Sequence, residues 1–210
     1  MIKNIIFDLG DVFIDLDQSS SKKELLKLGI DKFSDDMMAI NYQYDKGLVS
    51  TSEFVAYYAK IFSGKTNDEL IDSWNSILID FPKHRLAFLE NIPNKYRLFL
   101  LSNTNELHIE YFKSQAGYDF YSRFVNCFEK IYYSHIINCS KPDKNALKLI
   151  IEENNLDASK TLFVDDNLQN IESARELGIE TWLLDPKKEE VIDLFAVKGN
   201  LFGGEEVEIL

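Results

Sequence analysis

The chain has 210 residues, of which 45% are hydrophobic and 28% charged, a composition that is ordinary for a soluble globular protein with one core or one core and an inserted subdomain. The formal net charge of −12 argues against nucleic acid or an anionic membrane surface as a partner, because both would repel the chain. The two cysteines, Cys127 and Cys139, have no metal-ligand spacing, and no apolar stretch is long enough for a signal peptide or a membrane span, so we expect reduced thiols and a cytoplasmic location.

The first predicted element is a short apolar strand, Lys3 to Phe7, that stops at Asp8. Gly10 follows two positions later and allows a tight turn beside a ligand. Reactive groups collect at the carboxyl ends of strands in an open parallel sheet, which makes Asp8 a candidate for the chemical centre. The alternative is that Asp8 only caps a turn, and one acid after one strand does not decide between the two.

A long helical stretch separates this strand from the rest of the chain. Capping residues and terminal glycines predict four helices between residues 18 and 80, the last of which begins at the capping box Thr66–Glu69 and runs to about Ile79. We expect residues 15–85 to form a helical cap that joins the sheet at the edge where Asp8 lies and covers it as a lid. The alternative is a single mixed domain whose extra helices pack beneath the sheet.

From residue 96 onward, strands alternate with helices, which is typical of βαβ units and a parallel sheet. The predicted strands are Arg97 to Leu101, Lys130 to Ile137, Thr161 to Val164 and Ile179 to Leu184, and the last predicted helix is Lys187 to Phe195, followed by a loose acidic tail. With the first strand they predict an α/β fold: a Rossmann-like, doubly wound, parallel five-stranded sheet built from residues 1–14 and 86–210, with an inserted α-helical cap.

Polar side chains stand at or just beyond the ends of four predicted strands, namely Asp8, Ser102, Lys141 and the pair Asp165–Asp166. Parallel strands of one sheet end at the same edge, so we expect these groups to converge. Asp8 has the chemistry of a carboxylate nucleophile that forms an aspartyl phosphate, and a divalent cation would offset its repulsion from a phosphate. Asp8, Asp166 and the backbone carbonyl of Gly10 offer the hard oxygen ligands that Mg²⁺ prefers, while Lys141 and Ser102 suit the phosphoryl oxygens.

Four short motifs occupy these positions in chain order: Phe7 to Val12, Leu101 to Asn103, Ser140 to Asp143, and Val164 to Asn167 with Asn170. With them, the sequence resembles the haloacid dehalogenase superfamily over essentially its whole length, and within it the sugar-phosphate phosphatases with a type 1 helical cap. The segment Asp45 to Ser50, followed by Glu53 and Phe54, resembles a recurrent cap segment of that family.

The resemblance implies a Mg²⁺-dependent phosphatase that acts on a small phosphorylated metabolite, as a monomer or a small homo-oligomer. It implies Asp8 as nucleophile and metal ligand, Gly10 as a backbone ligand, Ser102, Asn103 and Lys141 as substrate-binding groups, and Asp166 as metal ligand. Asp165 would be a water-mediated neighbour of the metal, and Asn170 would steady the metal loop.

One position departs from the pattern. Phosphatases of this family usually carry a second aspartate two residues after the nucleophile, as general acid and base, and this chain has Gly10 there. Loss of a positioned acid or base typically costs about 10²–10⁴-fold in rate. Three explanations stay open. Asp11 acts as the general acid and base, a cap residue or water does so, or the leaving group departs unprotonated, as from a sugar 1-phosphate. We expect activity that is retained but slow.

Three other functions compete with this hypothesis. A haloacid dehalogenase attacks carbon without a metal, but the adjacent acids Asp165–Asp166 would then oppose ionisation of Asp8. A phospho-accepting signalling domain also combines an aspartate, a hydroxyl group and a lysine, but there the paired acids come first and no lid is inserted. A catalytically weak ligand-binding protein stays open because of Gly10. The histidines His84, His108 and His135 are isolated in sequence, which favours packing or surface roles.

Overall fold

The first strand of the sheet is separated from the other sheet strands by a helical insertion. In the computed structural model, which describes residues 1–29 and 32–203, the strands are β1 (Asn4–Phe7), β2 (Asp15–Leu16), β3 (Leu78–Asp80), β4 (Arg97–Ser102), β5 (Lys130–Tyr133), β6 (Thr161–Asp165) and β7 (Glu180–Leu183). The helices are α1 (Gln18–Lys27), α2 (Asp35–Asp45), α3 (Thr51–Ile61), α4 (Asn67–Asn75), α5 (Lys83–Glu90), α6 (Glu106–Ala116), α7 (Tyr118–Asn126), α8 (Ser134–Ile137), α9 (Lys144–Glu153), α10 (Leu168–Arg175) and α11 (Leu194–Lys198). Helices α1 to α4 are the insertion, as predicted.

Five parallel strands form the central sheet in the order β5-β4-β1-β6-β7. The strands are apolar on both faces because helices cover both faces. Ile5 and Phe7 belong to one core, Ile6 belongs to the core on the other side, and all three are fully buried. The predicted Rossmann-like, parallel five-stranded sheet is confirmed.

The register of the sheet sets which residues meet at its carboxyl edge. Phe7 of β1 pairs with Leu100 of β4 on one side and with Val164 of β6 on the other. Asp8, one residue beyond β1, is therefore flanked by the end of β4 at Ser102 and the end of β6 at Asp165.

The inserted helices have a core of their own, which is rich in rings. Its buried members are Met37, Tyr44, Phe54, Val55, Tyr58 and Leu70, with Trp74 and Leu107 among the residues packed against them. Capping boxes begin α3 at Ser50 and α4 at Thr66, and the second of these is the one predicted. Since Leu107 belongs to α6, this cluster reaches from the insertion to the sheet-bearing part of the chain. The exact division into 1–14 with 86–210 and 15–85 stays a prediction.

A short antiparallel ladder closes the base of the insertion, and it corrects the predicted fourth helix. Helix α4 ends at Asn75 rather than near Ile79, because Leu78–Asp80 pairs with β2, with Asp80 opposite Asp15. A backbone hydrogen bond from Asp17 to the carbonyl of Ile77 extends this pairing. The two linkers between the insertion and the sheet are thereby joined to each other.

Three further boundaries differ from the prediction. The strand expected over Lys130 to Ile137 ends at Tyr133, where the Ser134 hydroxyl accepts the backbone N–H of Thr104 and α8 begins. Helix α7 was not predicted. The helix expected from Lys187 begins only at Leu194, because the Asp185 carbonyl accepts the backbone N–H groups of residues 188 and 189 in a turn. The loose tail predicted after Phe195 is wrong as far as residue 203, because α11 continues to Lys198 and Phe202 is buried against Phe195. Residues 204–210 of the predicted tail lie outside the described residues.

No helix in the described parts of the chain combines the length and the apolar character that a membrane crossing requires.

Candidate active site

Residues from three chain segments meet at the carboxyl edge of the sheet. Asp8 and Asp165 arrive on β1 and β6, and Lys141 arrives on the loop between α8 and α9. Lys141 Nζ lies 2.7 Å from Asp8 Oδ1 and 2.6 Å from Asp165 Oδ2. Its side chain is only 2% exposed, so one buried ammonium group bridges two carboxylates.

Burial and charge act in opposite directions in this cluster. Burial raises the pKa of Asp8 to about 7, against the attraction of the Lys141 ammonium and with the added repulsion of Asp165. Burial alone would lower the pKa of Lys141, but the Asp8 and Asp165 carboxylates together raise it above its ordinary value. Lys141 therefore stays charged, and it is the group that keeps an ionised Asp8 tolerable in a buried position.

The adjacent acids Asp165 and Asp166 have different surroundings. Asp165 is fully buried and accepts hydrogen bonds from Lys141, from Asn170 Nδ2 at 3.0 and 3.1 Å, and from the backbone N–H of Asn167 at 2.8 Å. Asp166 is half-buried, and burial together with the nearby charges of Asp165 and Asp11 raises its pKa to about 6. Asp165 is thus held in place by hydrogen-bond donors. Burial and neighbouring negative charge disfavour the ionised form of Asp166, and a bound cation would stabilise it.

Three carboxylates come close enough to share a metal ion. One carboxylate oxygen from each of Asp8, Asp165 and Asp166 lies within 4.8 Å of the other two. A set of hard, negatively charged oxygens suits Mg²⁺. Burial is the main reason that the pKa values of Asp8 and Asp166 are raised, and repulsion from Asp165 adds to it in both cases. A divalent cation would stabilise the ionised carboxylates, so the donor set fits such an ion.

The turn after Asp8 is held by Asp11. Asp11 has a left-handed backbone with φ of 53°, and its Oδ1 accepts the backbone N–H of Leu16 at 3.1 Å. Gly10 bridges to Ile14 in the same turn. A Cβ atom on Gly10 would lie 2.7 Å from Leu16 Cδ1, so the end of a flexible leucine side chain occupies the space that a side chain at position 10 would enter.

The two remaining predicted substrate-binding residues stand on the loop after β4. Ser102 is buried at the strand end. The Asn103 amide group donates to the carbonyl of Lys141 at 2.8 Å and accepts the backbone N–H of the same residue at 2.9 Å. Asn103 thus fixes the backbone of the loop that carries Lys141.

A buried junction between the insertion and α6 escaped the sequence-based prediction. Asn105, the fully buried N-cap residue of α6, donates to Asp45 Oδ1 at 2.9 Å and to His108 Nδ1 at 3.3 Å. Its Oδ1 accepts the indole N–H of Trp74 at 3.3 Å and the backbone N–H of His108 at 3.1 Å. The sequence marks Asn105 only as a helix cap, so no local pattern indicates that it joins two inserted helices to the core.

Burial affects both titratable partners of Asn105. It raises the pKa of Asp45 to about 6, which the hydrogen bond from Asn105 only partly offsets. It lowers the pKa of His108 to about 4. His108 Nε2 donates to the carbonyl of Trp74 at 3.3 Å and the two rings stack, so the packing role predicted for this histidine is confirmed.

The segment Asp45–Gly47, which we call the cap clasp, is docked on the core by its backbone. Ser134 Oγ donates to the carbonyl of Asp45 at 2.6 Å, and Asn138 Nδ2 donates to the carbonyl of Lys46 at 2.8 Å. Gly47 has φ of 65°, and a Cβ atom there would lie 2.0 Å from the carbonyl oxygen of His135. The close approach of the clasp to the core therefore requires glycine.

The amino-acid sequence is similar to those of known proteins. Residues 2–178 match the sequence model of one family, described as haloacid dehalogenase-like hydrolase. The D-ribitol-5-phosphate phosphatase of Bacteroides thetaiotaomicron is 28% identical over 190 residues, which are 87% of this chain and 91% of that protein.

Two solved structures are also similar to this chain. A haloacid dehalogenase family enzyme of B. thetaiotaomicron, crystallised as wild-type protein with magnesium and inorganic phosphate, has a TM-score of 0.80 at 31% identity and covers 90% of this chain and 97% of its own. A HAD-like family hydrolase from Porphyromonas gingivalis has a TM-score of 0.78 at 25% identity, covering 96% and 98%.

Proposed function

The chain belongs to the haloacid dehalogenase-like hydrolases, and from this we propose that it is a Mg²⁺-dependent phosphatase that hydrolyses a small phosphate monoester, namely a sugar or polyol phosphate. The observation that carries the proposal is the buried contact of Lys141 with Asp8 at 2.7 Å, beside a cluster of carboxylates that suits Mg²⁺. The resemblance to a D-ribitol-5-phosphate phosphatase supports the sugar or polyol class of substrate.

Asp8 is the nucleophile in this proposal. One of its carboxylate oxygens attacks phosphorus, the bond between phosphorus and the alcohol oxygen breaks, and an aspartyl phosphate forms. The alcohol oxygen takes up a proton as it leaves. Water then attacks phosphorus and gives up a proton, the bond to Asp8 breaks, the free carboxylate is regenerated and inorganic phosphate is released. Lys141 keeps Asp8 ionised before the first step and offsets negative charge on the phosphoryl oxygens, and Ser102 donates a hydrogen bond to one of those oxygens.

Asp8, Asp166 and the backbone carbonyl of Gly10 would hold the Mg²⁺ ion, which supplies the positive charge that lets an anionic nucleophile meet an anionic phosphate. Asp165 positions Lys141 and is itself oriented by Asn170. In place of the direct substrate contact expected for Asn103, we assign it the task of fixing the Lys141 loop. We place the protein in the cytoplasm, in keeping with the unpaired thiols of Cys127 and Cys139.

Phosphate release from a panel of sugar phosphates, polyol phosphates and p-nitrophenyl phosphate tests the proposal. We expect release that depends on Mg²⁺, is lost on addition of EDTA and falls at least about 10³-fold in Asp8→Asn, because the nucleophile is removed. Phosphate release that survives EDTA, or that Asp8→Asn leaves unchanged, contradicts the mechanism. Halide release from a 2-haloacid without added metal would instead support the dehalogenase alternative.

A further inference from the structure

The side chain of Ser134 lies between the insertion and the loop that follows β4, and the chemistry proposed above gives it no part. Ser134 is fully buried at the beginning of α8, directly after β5. The preceding residue, Tyr133, pairs with Ser102 in the ladder between β5 and β4. Ser134 is therefore beside residues 102–105, which we call the phosphate loop because Ser102 binds a phosphoryl oxygen in the proposed reaction.

The oxygen of this hydroxyl group holds the backbone of the phosphate loop. Ser134 Oγ accepts the backbone N–H of Thr104 at 2.9 Å, and Thr104 is itself buried. On the other side of the loop, the Asn103 amide group is bonded to the backbone of Lys141. Loss of the Ser134 oxygen would leave a buried N–H group without an acceptor, which costs more than the bond itself contributes. The peptide group between Asn103 and Thr104 would then have to move.

The hydrogen of the same hydroxyl group bonds to the cap clasp. Two carbonyl oxygens lie near Ser134 Oγ, that of Asp45 at 2.6 Å and that of Thr104 at 2.9 Å, but a hydroxyl group has one hydrogen to donate. The Thr104 carbonyl has a second donor in His135 Nδ1 at 3.1 Å, which carries the proton because a carbonyl oxygen only accepts. The Asp45 carbonyl is at the end of α2, where the helix supplies no donor. The hydrogen therefore belongs to the shorter contact, with Asp45.

Both ends of α8 connect the clasp to groups that bind phosphate in the proposed reaction. Ser134 begins the helix and bonds to the Asp45 carbonyl, and Asn138 follows its last residue and bonds to the Lys46 carbonyl at 2.8 Å. Lys141 is three residues beyond Asn138. One short helix thus holds the clasp, contacts the phosphate loop at its first residue and leads into the Lys141 loop at its end.

We propose that Ser134 is a positioning residue, whose hydroxyl oxygen aligns the phosphate loop for phosphate binding and whose hydroxyl hydrogen fixes the cap clasp on the core. It acts through the backbones of Thr104 and Asp45 and has no contact with the substrate. The phosphoryl group and the insertion are thereby placed relative to one atom. This inference rests on the proposed phosphatase function and adds a residue that positions its phosphate-binding groups.

Ser134→Ala tests the inference through phosphate binding, which a merely structural role would not change. Titration calorimetry with inorganic phosphate in the presence of Mg²⁺ gives the dissociation constant, and p-nitrophenyl phosphate gives KM and kcat separately. We expect the dissociation constant and KM to rise at least about fivefold, because the phosphate loop loses one of its two fixed points. We expect kcat to fall at least about tenfold, since a small displacement of the phosphoryl group from Asp8 costs a large factor in rate.

Thr161→Val is the matched control. Thr161 is also fully buried, accepts a hydrogen bond from Asn4 Nδ2 at 3.1 Å and donates one to the carbonyl of Asp157 at 2.8 Å, but it lies at the start of β6, on the opposite edge of the sheet. We expect its urea midpoint to fall as in Ser134→Ala and its phosphate dissociation constant and kcat to match the wild type. Equal phosphate binding in Thr161→Val and Ser134→Ala would overturn the inference.

Two more variants separate the phosphate loop from the clasp. Asn138→Gly keeps the left-handed backbone, with φ of 53°, and removes only a bond to the clasp, so the phosphate dissociation constant should stay within about twofold of the wild type. A rise as large as in Ser134→Ala would mean that the clasp, and not the bond to Thr104, aligns the loop.

Ser134→Cys keeps a weak hydrogen-bonding group at the same position, and its dissociation constant should lie between those of the wild type and Ser134→Ala. If Ser134→Ala does not fold, a dissociation constant of Ser134→Cys equal to that of Thr161→Val would overturn the inference.

The two measurements separate this inference from the proposed function. If the wild type binds inorganic phosphate but does not hydrolyse p-nitrophenyl phosphate through Asp8, the phosphatase proposal fails, while the dissociation constants of the variants still decide the role of Ser134. If hydrolysis depends on Asp8 and Ser134→Ala behaves like Thr161→Val, the phosphatase proposal stands and the inference fails. A wild-type protein that neither binds phosphate nor hydrolyses the ester contradicts both.

Discussion

At the scale of single residues, Lys141 is the side chain on which the candidate site depends. It is buried between Asp8 and Asp165, and its ammonium group offsets the charge of both carboxylates and opposes the rise that burial causes in the pKa of Asp8. A buried ion pair adds little over a well-packed apolar pair, but removal of one partner leaves an uncompensated charge. The site is therefore sensitive to loss of the cation for a reason separate from catalysis.

Lys141→Gln is expected to lower the free energy of unfolding by about 3 kcal/mol, because it leaves two buried carboxylates without their cation. The comparison is Lys144→Gln, three residues further along, which breaks an exposed pair with Glu176 and should change the free energy by less than about 0.5 kcal/mol. Urea unfolding at neutral pH in the presence of EDTA measures both. A loss for Lys141→Gln no larger than that for Lys144→Gln would contradict the role assigned to the triad.

Position 10, where this chain has a glycine, is the place at which an acidic side chain could protonate the leaving group. Its backbone does not adopt a positive φ, so an aspartate is compatible with the turn provided that the flexible end of Leu16 shifts from a position 2.7 Å from the new Cβ. We expect Gly10→Asp to exceed both wild type and Gly10→Asn in kcat on a primary-alcohol phosphate, by at least about tenfold over the latter, since general acid catalysis typically contributes 10²–10⁴-fold.

Gly10→Asn is the matched control for that experiment because it imposes the same steric demand without an acid. On p-nitrophenyl phosphate, whose leaving group departs unprotonated, the two variants should differ little. Gly10→Asp at or below Gly10→Asn on the primary-alcohol phosphate would mean that another group, such as Asp11, already protonates the leaving oxygen.

At the scale of helices and strands, the sequence indicates local features well and distant pairings poorly. The capping box at Thr66 and the polar residues at the ends of β1, β4 and β6 are local patterns, and these predictions correspond to the structure. The β2–β3 ladder pairs two to three residues across more than sixty positions, which is too short to give a hydrophobic period.

The lack of a local pattern for distant contacts also explains why the hydrogen bonds around the candidate site were not predicted. Asp45 and Asn105 are 60 residues apart, and each reads locally as an ordinary helix-end residue. Asn103 follows Ser102 directly, which suggests a substrate contact, and that contact stays a prediction. The bonds of its amide group to the backbone of Lys141, 38 residues away, could not be predicted. Tertiary hydrogen bonds of this kind have no sequence signature, because a polar side chain near a strand end is equally compatible with several partners.

The cap clasp offers a test of how the insertion is held on the core. Gly47→Ala places a Cβ atom 2.0 Å from the carbonyl oxygen of His135 and strains a backbone with φ of 65°. Gly64→Ala strains a backbone with φ of 106° in the same insertion but has no atom within 4 Å of the new Cβ. Both variants should lose about 1 kcal/mol from the backbone conformation, and only Gly47→Ala should separate the clasp from the core.

We expect Gly47→Ala to lower kcat/KM for a sugar or polyol phosphate at least about tenfold, because displacement of the insertion misplaces the leaving group. Limited proteolysis should cut it faster than Gly64→Ala between residues 76 and 83. If the two variants behave alike in both measurements, the contact between Gly47 and His135 is not what holds the insertion in place.

At the scale of the whole molecule, a neutral histidine takes part in the contacts that couple the insertion to the core. His108 accepts from Asn105 through Nδ1 and donates to Trp74 through Nε2, so both ring nitrogens are used by the uncharged form. A proton on Nδ1 would face the amide donor of Asn105. Burial lowers the pKa of His108 to about 4, well below its ordinary value of 6.5, against the effect of the hydrogen bond to the Trp74 carbonyl, which raises it. The stability of the folded chain is thereby linked to pH.

The direction of that linkage follows from which state binds the proton first. Between pH 6.5 and 4 the unfolded chain protonates His108 and the folded chain does not, so acid favours unfolding. Asp45 acts in the opposite direction, because its raised pKa of about 6 means that the folded state takes up its proton first. The separate effect of His108 is therefore seen only against a variant that lacks the imidazole and keeps Asp45.

His108→Asn provides that comparison, since its side-chain oxygen or amide can still meet Asn105. From pH 7 to pH 5 the wild type should lose about 2 kcal/mol of unfolding free energy relative to His108→Asn, as the two pKa values of the histidine, 6.5 unfolded and about 4 folded, require. Urea titrations of both proteins at pH 7, 6 and 5 give the difference directly. A difference between wild type and His108→Asn that stays constant over this range would show that the neutral histidine does not couple the insertion to the core.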